Sequence, residues 1–153
     1  MKRAFLFRAT VSLLSGGALI VAVVPLAFYW FGLSNIDGRP VPPARTDNLG
    51  SDTALLQQDF RNQLPILVHV LNPWTFIGEL RAEKAATPDN GAHAVWIIVR
   101  NYNGSHLRNR KMIWWHLSGA ALTIWVTRNW TTDQIVTAAA AIARSRAQQR
   151  LPN

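Results

Sequence analysis

The chain has 153 residues, enough for one small domain once an apolar N-terminal segment and a linker are set aside. It holds no cysteine, which excludes disulfides, thiolate zinc sites and cysteine nucleophiles. Sixteen Lys and Arg against eight Asp and Glu give a formal charge of +8, so an anionic neighbour is expected.

From Ala9 to Ile36 no side chain is charged. Within this stretch Val11 to Leu33, with Ser12, Ser15, Gly16 and Gly17 inside it, matches the roughly 20 residues a helix needs to cross a bilayer core. Phe28, Tyr29, Trp30 and Phe31 cluster at its far end, where aromatic rings sit at headgroup level. Lys2, Arg3 and Arg8 precede it, whereas Asp37, Arg39, Arg45 and Asp47 behind it cancel. This bias puts the N-terminus in the cytoplasm. The segment differs from a cleaved signal peptide, whose apolar region is about 7–15 residues and ends in small residues. It differs too from a buried core helix, which needs a large protein around it. The expected organisation is a cytoplasmic tail (1–8), a transmembrane helix (9–33) kinked at Pro25, a linker (34–50) and a small α-helical extracytoplasmic domain (51–153).

The linker carries Gly38, Pro40, Pro42, Pro43 and Gly50. Ser51 or Asp52 caps an expected helix to about Asn62. Leu64 to Leu71 is partly β-branched and reads as a short strand. Asn72-Pro73 has the chemistry of a helix start, cap followed by proline at the first helical position. That helix runs to about Lys84 with Trp74, Ile77 and Leu80 inward. After a loop from Ala85 to Asn90, a helix to about Asn101 carries the stripe Ala92, Val95, Trp96, Val99. Asn103-Gly104 reads as a turn.

Met112 to Thr127 has no charged residue and holds Trp114, Trp115 and Trp125. It is short for a second span and reads as a buried core helix, with His116 as a hydrogen-bonded core residue. An interfacial segment is the competing reading. Thr131 and Gln134 have capping-box spacing. The last helix runs from there toward Gln149 with Ile135, Ala138, Ala139 and Ile142 on one face. The fold class is therefore mainly α.

Chemistry-bearing constellations are sparse. Glu79 and Glu83 lie four apart, hence on one helix face, and are the weak catalytic candidates. With Arg81 and Lys84 beside them they read more simply as a solvated charged face. The histidines His69, His93, His106 and His116 form no short-spaced ligand pair, so no metal or other cofactor is expected. From Arg100 onward eight positives face one acid, Asp133. Arg108, Arg110, Lys111 and Arg128, with Trp114 and Trp115, are the candidate contacts to membrane or another anionic ligand. No nucleic-acid partner is expected.

Arg110-Lys111, Ala120-Ala121-Leu122, Ile124-Trp125-Val126, Arg128 and Thr131 to Ile135 resemble part of the bacterial peptidoglycan glycosyltransferases of family 51. The resemblance covers only this C-terminal stretch. It implies an α-helical, lysozyme-like domain on the outer face of the bacterial inner membrane, held by one N-terminal span and acting on lipid II. The family's Glu-Asp dipeptide followed by Phe and His is absent here, as is its Gly-Gly-Ser-Thr-Ile segment. The expected function is a non-catalytic cell-envelope accessory with a membrane or envelope protein partner, linked to peptidoglycan synthesis and its lipid-linked precursor. The alternatives are a divergent glycosyltransferase using Glu79 or Glu83, and a subunit or immunity-type component of an envelope machine.

Overall fold

The computed structural model describes residues 23–46, 48–59, 66–82 and 90–149. The basic N-terminal tail and most of the expected span lie outside the described residues, as do Glu83 and the loop after it. The protein is mainly α-helical. Helix α1 covers residues 23–34, and α2 to α6 cover Leu49–Asp59, Pro73–Ala82, Asn90–His106, Met112–Asn129 and Thr132–Gln149. Among the described residues no helix is long and apolar enough to cross a membrane.

Local chemistry accounts for several boundaries. Asn72 Oδ1 accepts the amides of Trp74 and Thr75 at 3.0 and 2.9 Å, and Thr75 Oγ1 accepts the Asn72 amide at 3.0 Å. This reciprocal cap satisfies amides that have no partner inside α3. Thr131 and Gln134 form the expected box at α6, with Thr131 N–H donating to Gln134 Oε1 at 2.9 Å and Gln134 N–H to Thr131 Oγ1 at 3.3 Å.

Helix α4 is the centre of the bundle. Its Ala94, Val95, Ile98 and Val99 are buried, α5 packs on one side and α6 on another, and α2 lies against α6. Leu122 and Val126 of α5, Ile135 and Ala139 of α6 and Leu56 of α2 complete the core. Small residues along α6 let its neighbours approach closely. Each large aliphatic side chain fully buried here contributes roughly 1.5–3 kcal/mol.

Four expectations need correction. Ile66 to Leu71, the described part of the stretch read as a strand, is not one: among the described residues no partner strand lies beside it, and the Leu71 amide donates to Thr127 Oγ1 of α5 at 3.2 Å instead. Asn103-Gly104 is not a turn, because α4 continues to His106; Asn103 is buried and donates from Nδ2 to the Trp115 carbonyl at 3.1 Å. The α4 stripe is rotated by about one position, leaving Ala92 exposed and Ala94 and Ile98 buried. Trp74, expected inward on α3, is 47% exposed.

The described end of the apolar N-terminal segment joins this core. Leu33 and Ile36 are 2% and 3% exposed, and both pack in the main cluster. Ile36 pairs with Leu107 in an isolated antiparallel bridge, flanked by Asp37 N–H to His106 O at 2.9 Å and Arg108 N–H to Asn35 O at 3.0 Å. Residues 34–38, expected as the start of a free linker, are thus clasped to the bundle. Gly38 turns the chain away with φ of 73°, a conformation L side chains rarely adopt.

Candidate functional site

The candidate residues are arranged by the packing of α1 on α5. Asn35 donates from Nδ2 to Asn109 O at 3.3 Å and to Ser118 Oγ at 3.2 Å, and its Oδ1 accepts the Asn109 amide at 3.0 Å. Ser118 Oγ donates to Gly32 O at 3.0 Å. Farther back along α1, Pro25 and Tyr29 face Ala121 and Ile124. The two helices are therefore antiparallel. Ser118 and Asn35 are both buried, so these bonds satisfy groups that water does not reach.

Antiparallel packing splits the basic set. Arg108, Arg110 and Lys111 precede α5 at the Asn35 end, while Arg128 lies in its last turn. From Met112 to Arg128 the helix rises about 24 Å. Arg128 instead follows Ile124 by one turn, at the Pro25 end of α1. Arg108 Nε donates to Asp37 Oδ1 at 2.5 Å, with both side chains more than 60% exposed. Such a pair adds on the order of 0–1 kcal/mol. Arg110 and Lys111 are exposed, and the next two residues, Met112 and Ile113, are 78% and 73% exposed. Trp114 and Trp115 are half-buried rather than displayed, and Trp115 stands edge-on to Trp96 at 5.4 Å.

His116 is exposed and stands edge-on to Trp115, not hydrogen-bonded in the core as expected. Its place is taken by Ser118, two residues on, which faces α1. Tyr102 and His106 stack with ring centroids 3.8 Å apart. The Tyr102 hydroxyl donates to the Asp37 carbonyl at 3.0 Å. Burial raises this phenol above its ordinary value of 10.0; Arg39 opposes the shift and Asp37 adds to it.

No cluster of three or more His, Asp or Glu capable of holding a metal ion is present among the described residues. Glu79 lies on α3, but its side chain is outside the described residues, as is Glu83. Asp52 is buried against Arg144 at 2.5 Å, where it joins α2 to α6. A cavity of about 190 Å³ opens between α1, α3 and α5, lined by Pro25, Phe28, Tyr29, Phe76, Ala120 and Ile124 among others. Apart from the Tyr29 phenol, its described lining residues offer apolar contact and no acid or base.

Sequence reasoning missed Gly32, Asn35 and Ser118, which fix α1 on α5. The available signal was Ser118, a small polar residue beside Gly119 within an apolar helix. Comparison with family models, curated proteins and solved structures gives no match.

Proposed function

We propose that this chain is a non-catalytic, single-span protein of the bacterial inner membrane, an accessory that presents a small helical module to an anionic envelope partner. Its N-terminus lies in the cytoplasm and the module outside it. The observation that carries the reading is the surface at the start of α5. There Arg110, Lys111, Met112 and Ile113 are exposed together on a frame fixed by the Asn35–Asn109 contacts. Exposed aliphatic residues beside unpaired cations suit a partner that supplies both acid groups and apolar area. The uncharged stretch from Ala9 supports the tether. The C-terminal resemblance supports a place near peptidoglycan synthesis. The missing Glu-Asp motif argues against catalysis, since glycosyl transfer needs a positioned carboxylate as base.

Two measurements test this. A reporter fused after Asn153 should be active only in its extracytoplasmic form; cytoplasmic activity would refute the topology. Purified protein should give no glycan chains from lipid-linked disaccharide. Chains made by the wild type and lost in Glu79→Gln would make it an enzyme.

A further inference from the structure

The end of the bundle that meets the bilayer is set by α1, and this inference rests on the tether proposed above. The chain reaches α1 from an uncharged stretch that begins at Ala9. A crossing needs about 20 residues; counted from Ala9 it closes at Phe28. Phe28, Trp30 and Phe31 are 54%, 61% and 58% exposed, spread around α1, at the level where aromatic rings meet headgroups. Gly32 and Leu33 already belong to the bundle interior.

Because α5 is antiparallel to α1 and Gly32 faces Leu117 and Ala121, the Phe28 level falls near Thr123 of α5. The C-terminal end of α5 lies about a turn and a half farther toward the bilayer, a distance a long arginine side chain can snorkel back to the headgroups. Ile124 shares the cavity with Pro25 and Tyr29, and Arg128 follows one turn later. Thr127 holds the Leu71 amide, which brings the segment before α3 to this end as well. That segment exposes large apolar side chains: Val70 is 72% exposed, Leu67 58% and Trp74 47%. Three exposed apolar residues, one exposed arginine and an aromatic collar on the entering helix together match a headgroup surface. An acid, Asp133, is also exposed at this end, in the first turn of α6.

We infer that the lipid-facing surface is the C-terminal end of α5, with Val70 and Trp74 entering the interface and Arg128 meeting lipid phosphate, and that Lys111 to Ile113 points away from the bilayer. The basic loop, which sequence alone nominates for lipid contact, is then free for the partner.

The absence of cysteine makes the test direct. Val70→Cys and Met112→Cys each give the full chain one thiol, at positions exposed enough that the core is untouched. Each variant is labelled with an environment-sensitive fluorophore and reconstituted in phosphatidylcholine–phosphatidylglycerol vesicles containing headgroup-nitroxide lipid. The label at Val70→Cys should be quenched several-fold more than the label at Met112→Cys. Adding Arg128→Gln should lower that quenching toward its level in neutral vesicles. Equal quenching at the two sites, or stronger quenching at Met112→Cys, overturns the orientation. No effect of Arg128→Gln removes the phosphate contact. Self-quenching at Val70→Cys that grows with protein-to-lipid ratio, without nitroxide quenching, puts a second copy on this face and also overturns it. A chain that fails to float with vesicles refutes the tether and this inference together. A chain that floats with the reversed pattern refutes the inference alone.

Discussion

Replacing Gly32 with alanine should separate α1 from α5. A Cβ added at Gly32 would stand 2.5 Å from the Leu117 carbonyl oxygen and 2.6 Å from Ala121 Cβ. Neither neighbour is a flexible side-chain end, so the helices must move apart by about 1 Å to reach ordinary contact. That movement stretches the 3.0 Å bond from Ser118 Oγ to Gly32 O. Overpacking of this kind costs roughly 1–3 kcal/mol, and the weakened hydrogen bond about 1 kcal/mol more. Alanine returns about 1 kcal/mol through its better helix propensity. The net loss is about 2 kcal/mol, a fall in Tm of roughly 10 °C for a bundle of this size. Thermal melts of the full chain in detergent, followed by circular dichroism, read it out. Adding Ala121→Gly to Gly32→Ala relieves one of the two contacts and should recover part of the loss beyond the sum of the single variants. A Tm for Gly32→Ala equal to or above wild type would refute the close-packing argument.

Two further outcomes are expected. Arg144→Ala leaves the buried Asp52 carboxylate without its cation; because Arg144 is partly exposed, the cost should be about 2 kcal/mol, below the roughly 3–5 kcal/mol of a fully buried pair. Urea unfolding checks this, and Asp52→Asn, which removes the charge itself, should lose less. Tyr102 has a folded pKa above its unfolded value of 10.0, so the native state keeps its proton longer than the unfolded chain. Its contribution is complete below that pH and is lost as pH rises past it. Stability of the wild type should therefore fall more steeply above pH 10 than that of Tyr102→Phe, and parallel curves would exclude the linkage.

What the sequence made legible was mostly local. The cap at Asn72 and the box at Thr131 and Gln134 depend on residues within one turn, and both form as read. The α4 face was harder because Ala94 to Val99 is apolar on nearly every side, so periodicity does not choose among faces. There the bulk of Trp96 decides: it stays at the rim against Trp115, and smaller Ala94 and Val95 go inward. The close approach at Gly32 has no local signature at all, since a glycine in an apolar helix acquires meaning only from Leu117 and Ala121 facing it. The basic residues were legible as an inventory but not as a surface. Their separation along α5 follows from the antiparallel register, which Asn35 and Ser118 determine through contacts remote in sequence.

The clasp at Asn35 also orders events in time. Its partners Asn109 and Ser118 lie 74 and 83 residues downstream, and the bond from Ser118 to Gly32 spans 86. Closing a loop of that length costs roughly 4 kcal/mol of chain entropy, an unusually non-local requirement for a helical bundle. At synthesis rates of about 5–20 residues per second, α1 leaves the ribosome some 4–17 s before the helix that seats it. During that interval Leu33 and Ile36 lack the α5 and α6 members of the cluster they pack in. Helix α1 is among the last elements to find its place, and completion of the core waits for the C-terminal third of the chain.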